Sequence, residues 1–340
     1  MQIRFWDVGA GDAITIKFQD GTGQTRHIFV DGGYVGTYQN GIKTELREIQ
    51  NAGETVDLWI LTHTDRDHIG GVEAFIKDKD FVENTELVGS FWFNWSDYTF
   101  IPSKKRLSIA QGIKLRDYLD RLGKLMKEEI TTSTPPIDLY GLKITILSPD
   151  TASLQKSKVK WARFEHRVPI SAKIPDYGQT IDQLAALPAV GDTDVFNGGS
   201  LAFLLEDRHC SFLLLGDSHP SVIVQTLKSL GFSSTNRLKV NYVKLSHHAS
   251  KRNTTRQLLE LIDCDNYIVL ANGVSHALPN KWTLANILTR PGRDYTRKTN
   301  FYFNNPGTHL KTLFQSDGDT TKYNFDCIFA TKSYLEISCP

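Results

Sequence analysis

The sequence predicts an α/β chain folded as one large domain, and three observations predict it. One apolar run, Val56 to Leu61, passes directly into the stretch LTHTDRDHIGG (Leu61 to Gly71) and then into Val72 to Ile76, which has helical character. A strand-to-helix loop of this kind is where α/β folds carry their chemistry. Further chemistry-bearing residues recur at the ends of other predicted strands: Gly216-Asp217, His247-His248 and His276. The 340 residues suffice to bury a large core, and they contain no repeat, low-complexity tract or long linker.

Composition narrows the function classes. The formal net charge is +1, so no global basic field marks a nucleic-acid binder, and any such site has to be a local patch. Cys210, Cys264, Cys327 and Cys339 are scattered without C-x-x-C spacing, which argues against a zinc ribbon or a disulfide framework and reads as four reduced, packed thiols. No apolar run approaches membrane-spanning length, and the N-terminus opens on a strand pattern instead of a signal sequence. The expectation is a soluble, cytoplasmic protein with no membrane partner.

Taken in order, Ile3 to Trp6 reads as a strand, DVGAGDA (Asp7 to Ala13) as a Gly-rich loop, and Ile14 to Phe18 as a strand with period-two alternation. A tight hairpin around Asp20-Gly21 leads to the strand His27 to Val30 and to Asp31-Gly32-Gly33. In the loop after Leu61, His63, Asp65, Asp67 and His68 place four nitrogen and oxygen donors in six residues. Such donors bind divalent metals, and on a stiff loop they can serve two neighbouring ions. A solvated, helix-capping loop explains the aspartates but not the flanking histidines. The aromatics Phe91 to Trp95, with Tyr98 and Phe100, form either core packing or a wall for stacked bases. Ser103 to Glu129 predicts a helix, and Leu139 to Pro149 a hairpin strand.

Between residues 156 and 173 the chain is basic, with Lys156, Lys158, Lys160, Arg163, Arg167 and Lys173 interleaved with Trp161 and Phe164. That pattern suits phosphate pairing and base stacking, or a merely solvated loop. The strands Leu201 to Leu205 and Ser211 to Leu215 follow, and Asp217 at the end of the second is costly to bury unless cations face it. Val240 to Leu245 delivers Ser246-His247-His248-Ala249-Ser250. Paired histidines need partners for both rings, so one is read as a metal ligand, His247 being favoured, and the other as facing substrate. Ser250, Lys251, Arg252 and Asn253 read as a helix start placed to hold a phosphate. Tyr267 to Ala271 leads to His276, and Phe301 to Phe303 and Tyr323 to Phe329 read as late strands.

The pattern H-x-D-x-D-H-x-G-G over residues 63–71 resembles the metal motif of the metallo-β-lactamase superfamily. Its third position, Asp65, resembles the subgroup of the ComEC-type hydrolase domain of DNA uptake, as do DVGAGDA, FVDGG, LYGLKITILSP and SHHAS. The resemblance implies a four-layer αββα sandwich with metals at one edge. It places a hydrolase domain at residues 1–290, interrupted by an insertion at about 150–196, with C-terminal strands at 291–340 completing or extending it. It also implies that Asp31 stands behind the first metal histidine and orients it, that Asp217 bridges both metals, and that His276 is a further ligand or the proton donor to the leaving group. Most members carry His where Asp65 stands, and a Gly-His ligand near Asn197 to Ser200. This chain has neither, and oxygen in place of nitrogen favours harder ions than zinc.

The expected ligands are therefore His63, Asp65, Asp67, His68, Asp217 and His247, holding two divalent ions, Mn2+ or Zn2+ with Mg2+ admissible. Asp67, His248 and His276 are expected to carry the chemistry, and Ser250, Lys251, Arg252 and Asn253 to grip phosphate. The expected reaction is cleavage of DNA by metal-activated water. A hydrolase of a small phosphodiester or lactone is the alternative within the fold, and a non-catalytic effector subunit of a larger complex the alternative outside enzymes. Protein partners or a homo-oligomer are compatible with each.

Overall fold

The computed structural model describes residues 1–81, 86–97, 107–163 and 175–339, without the side chains of 107, 108 and 161–163. The described strands are β1 (Gln2–Trp6), β2 (Ala13–Gln19), β3 (Thr25–Asp31), β4 (Val56–Leu61), β5 (Val88–Phe93), β6 (Ile137–Leu139), β7 (Leu142–Ser148), β8 (Ala202–Glu206), β9 (Ser211–Leu214), β10 (Leu238–Lys239), β11 (Tyr242–Lys244), β12 (Ile262–Asp263), β13 (Asn266–Val269), β14 (Thr299–Phe303), β15 (Phe325–Phe329) and β16 (Tyr334–Ser338). They build a six-stranded sheet, β16-β1-β2-β3-β4-β5, and an eight-stranded sheet, β15-β14-β13-β11-β9-β8-β7-β6, with β10 and β12 paired apart.

The sheets pack face to face. Ile3, Phe5, Ile14, Ile16, Ile28, Leu58 and Ile60 of the first meet Ile144, Ile146, Phe203, Leu205, Phe212 and Leu214 of the second in one buried cluster. Alternation within each strand sends the other side chains outward. On the first sheet these pack against the helices Lys43–Asn51, Arg66–Phe75 and Leu107–Arg121. On the second, Pro220–Ser229, Arg256–Leu259 and Lys281–Leu288 cover the outer face. The result is the expected four-layer αββα sandwich. Strands β3, β4 and β5 are mutually parallel, as are β9, β11, β13, β14 and β15. Their carboxyl ends open on one edge, where ligands bind in such sheets.

Several expectations change. The helix expected to reach Glu129 ends at Arg121. Gly123, at φ +66, closes it, with the Gly123 and Lys124 amides donating back to Asp120 and Leu119. Phe91 and Phe93 are buried in the helix-covered core, which removes them from any base-stacking wall; Tyr98 and Phe100 lie outside the described residues. The reading of four reduced cysteines is overturned, because Cys210 and Cys339 form a disulfide with Cα atoms 6.0 Å apart. Sequence spacing could not show this, since the bond joins the start of β9 to the end of β16. Disulfides persist in oxidising compartments, so the cytoplasmic expectation gains nothing here. Among the described residues no helix is long and apolar enough to cross a membrane. The C-terminal strands are integral: β14 and β15 extend the second sheet, and β16 pairs with β1.

Candidate metal centre

Four strand ends converge on the edge. Strand β4 is buried along most of its length and releases Thr62 and His63, and Asp65 then leads into the helix Arg66–Phe75. Two glycines fix that helix: Gly70 and Gly71 pack backbone to backbone against Gly32 to Val35, where any added Cβ would collide. The Gly32 amide donates to His68 O at 2.8 Å and the Gly71 amide to Gly33 O at 3.0 Å. Asp31, ending β3, is thereby brought under His68. Strand β9 ends in Gly216, whose left-handed φ of +48 turns Asp217 inward. After β11, His247, His248 and Ala249 all adopt left-handed backbone, with φ of 50, 54 and 63. Such a conformation costs roughly 1–2 kcal/mol per non-glycine residue, and strain of this kind collects at functional sites. Its effect is to aim both imidazoles at one centre.

The two oxygens of Asp217 face different neighbours. Oδ2 lies 3.8 Å from His63 Nε2 and 3.8 Å from His247 Nε2, and Asp65 Oδ2 stands 3.9 Å from His63 Nε2. Oδ1 lies 3.5 Å from His68 Nε2 and 3.8 Å from His248 Nε2, with Asp67 Oδ2 at 3.9 Å and 3.2 Å from those nitrogens. Two nests result, each with two imidazole nitrogens and two carboxylate oxygens, sharing Asp217. Donor atoms of His63, His68 and Asp217 lie within 4.8 Å of one another, as do those of Asp12, His68 and His248, so His68 is common to the two tightest sets among the described residues.

The supporting partners settle which nitrogen points inward. His68 Nδ1 is 2.8 Å from Asp31 Oδ2; a carboxylate only accepts, so this nitrogen carries a proton and Nε2 is the one turned to the centre. Thr62 Oγ1 donates to Asp31 Oδ2 at 2.7 Å and is left to accept from His63 Nδ1 at 3.1 Å. His247 Nδ1 faces Asn253 Oδ1 at 3.1 Å and Asp192 Oδ2 at 3.4 Å. His248 Nδ1 lies 3.5 Å from Asp12 Oδ1 without a hydrogen bond between them, and Asp12 is ion-paired with the fully buried Lys244. Orientation of metal-binding imidazoles by carboxylates follows the same pattern. With these partners in place, His63 Nε2, His68 Nε2, both ring nitrogens of His248, Asp12 Oδ1 and Asp217 Oδ1 are buried without a hydrogen-bond partner. Orphaned donors of this kind are costly unless something binds them, and this set fits divalent cations.

Charge follows the geometry. Burial pushes the Asp217 carboxyl up, but His247, His248 and His68 outweigh it and hold it well below the usual range. Burial pushes His248 down, and Asp217, Asp12 and Asp67 raise it to about 9. His63 goes the other way, to about 4, through burial and the neighbouring His68.

Some predicted residues lie elsewhere than expected. His248, expected to face substrate, is 2% exposed and belongs to the inner cluster beside His247. Asp31 supports His68 directly and the first histidine, His63, only through Thr62. Ser250 to Asn253 form a turn; the next helix starts at Arg256 behind the Thr255 cap, so no helix dipole points at a phosphate there. Asn253, expected to grip phosphate, is fully buried and spends its amide on Asp192, Asp217 O and Ser218 O. Ser250 is buried, with Oγ accepting from the Arg252 amide, whereas Lys251 is exposed and Arg252 half-buried. His276 is exposed, in a turn next to Ser275, and has no hydrogen-bond or ion-pair partner among the described residues. The sequence reading missed Thr62, Asp192, Asn197 and Lys244. Only Lys244 carried a signal, a lysine inside an apolar strand.

The model of the metallo-beta-lactamase superfamily matches residues 8–273, and the chain belongs to that superfamily. No curated protein matches the sequence. Among solved structures, the chain is similar to the metallo-beta-lactamase fold protein YhfI from Bacillus subtilis, at 11% identity and a TM-score of 0.45, over 99% of this chain and 100% of that one. It is also similar to the CmlA beta-hydroxylase, at 12% identity and a TM-score of 0.37, over 99% of this chain and 53% of the other. The superfamily and the buried His/Asp cluster support a metal-dependent hydrolase.

Proposed function

We propose that the chain is a two-metal phosphodiesterase of the ComEC type that cleaves DNA. The observation that carries this reading is Asp217, whose two oxygens each serve a separate nest of nitrogen and oxygen donors. Paired sites of this kind suit displacement at phosphorus, where bound divalent ions lower the pKa of water and neutralise the charge that builds on phosphoryl oxygens. The donor sets are half carboxylate, which favours Mn2+ or Mg2+ over Zn2+.

The chain's own residues supply orientation and exclusion. Asp31 accepts from the outer nitrogen of His68, and Asn253 Oδ1 with Asp192 faces that of His247, so the inner nitrogens of these two rings stay fixed toward Asp217. Asp67 is 19% exposed at its side chain and forms part of the open side of the second nest. Lys251 and Arg252 leave the turn that follows the histidine pair with no side-chain partner among the described residues, and they supply cations for a phosphodiester backbone. Lys156 and Lys160 on the helix Thr151–Arg163 extend that basic surface, Lys160 standing over the Phe196 ring at 5.2 Å. Arg167, Lys173 and the side chain of Arg163 lie outside the described residues. His276, exposed in its turn, is the candidate to protonate the leaving oxygen.

The test is cleavage of labelled single- and double-stranded DNA, RNA and a nitrophenyl phosphodiester by metal-stripped protein reloaded with Mn2+, Mg2+ or Zn2+. Metal-dependent cutting of DNA that disappears in Asp67→Ala supports the proposal. Turnover of the small diester alone, or no turnover with any ion, overturns it.

A further inference from the structure

Residues 197–200 contain no Gly-His pair, and on that side of the site His247 Nε2 lies 3.8 Å from Asp217 Oδ2. What holds His247 there comes from outside the family motifs. Asp192 lies in the insertion, just after a run of exposed residues from Ala186 to Gly191, yet its own side chain is only 5% exposed. Its Oδ2 accepts from Asn197 Nδ2 at 2.8 Å and from Asn253 Nδ2 at 3.0 Å, and lies 3.4 Å from His247 Nδ1. A carboxylate only accepts, so together with Asp217 O and Ser218 O, each 3.2 Å from the same nitrogen, it holds the Asn253 amide with its Oδ1 toward His247 Nδ1, 3.1 Å away, where Asn197 Nδ2 also stands at 3.2 Å. The Asp192 amide also donates to Arg252 O at 3.1 Å, tying the insertion to the turn after the histidine pair.

The far end of the same segment is pinned independently. The Asp176 carboxylate accepts from the amides of Lys281 and Trp282 at 2.8 and 3.0 Å, and Asp182 pairs with Lys322 at 2.8 Å. The exposed run between these anchors is therefore a strap stretched from the second sheet's helices to the metal centre.

We propose that Asp192 is a positioning residue that turns His247 into a nitrogen donor for the first metal position, so that this position exists only while the insertion is docked. The inference rests on the two-ion reading above.

The experiment is titration of the metal-stripped full chain with Mn2+, followed by calorimetry and native mass spectrometry, for wild type, Asp192→Ala and Asp192→Asn. Loss of an orienting partner typically costs about 10–100-fold in metal affinity. The expected result is two ions in wild type and that loss at one position in Asp192→Ala, with the other unchanged and a smaller loss in Asp192→Asn. In the metal-free protein, nitrogen NMR of His247 should show its Nδ1 proton population falling in the same order. Unchanged affinity at both positions, or equal weakening of both as a merely structural defect would give, overturns the inference. Should Asp192→Ala fail to fold, Asp192→Asn is judged by the same criteria. A wild-type chain that takes up a single ion overturns the two-ion reading itself, a result distinguishable from an Asp192 variant that behaves like wild type.

Discussion

Single side chains in this site are arranged so that protons stand where cations belong. In the metal-free fold His248 holds its proton up to about pH 9, against 6.5 for a free imidazole, because Asp217, Asp12 and Asp67 outweigh the effect of burial. A histidine raised in this way contributes stability that is complete below pH 6.5 and is lost as pH rises through about 9. The metal-free protein should therefore melt at progressively lower temperature over that window, and the metal-loaded protein should not, because an ion has replaced the proton. Metal affinity should rise over the same window, with protons released on binding. Thermal melts and titrations in buffers of different ionisation enthalpy check both. A metal-free melting temperature that stays flat or rises between those pH values would contradict the arrangement.

At the scale of elements, the site depends on how closely backbones approach. The helix Arg66–Phe75 reaches Gly32 and Gly33 without side chains between them, which sets His68 over Asp31. Overpacking of a filled contact costs about 1–3 kcal/mol. Gly71→Ala should lower the denaturation midpoint accordingly and weaken metal binding, because His68 moves with the helix. Chemical denaturation with and without Mn2+ measures both; a loss of stability with metal affinity intact would separate the helix contact from the site. The H-x-D-x-D-H-x-G-G spacing made this element legible, since its glycines and its ligands serve one geometry. The SHHAS motif was legible only in part. A run of three left-handed residues is a tertiary outcome, and without it the sequence gives no reason for both rings to turn inward. Asn253 shows the opposite failure: a polar residue after the motif reads as a phosphate contact, but the fold buries it.

Over the whole molecule, the sandwich was readable because each motif sits at the end of an apolar strand and parallel strands share one open edge. The disulfide between Cys210 and Cys339 was not readable, since it depends on which strand ends become neighbours at the opposite edge. Nor was Asp192, which reaches the site by the path of the insertion and carries no local pattern. Under the proposal above, the insertion changes the meaning of the missing ligand, because Asp192 orients His247 as the nitrogen donor that the family motif lacks near residue 197. On the two-ion reading, the shared Asp217 carboxylate separates two metal positions. The most direct measurement is anomalous diffraction from crystals soaked with Mn2+, compared between wild type and Asp217→Ala. Two peaks, one on each side of the Asp217 carboxylate and both lost in the variant, are the predicted result; a single peak in wild type, or two peaks that persist in Asp217→Ala, would contradict it.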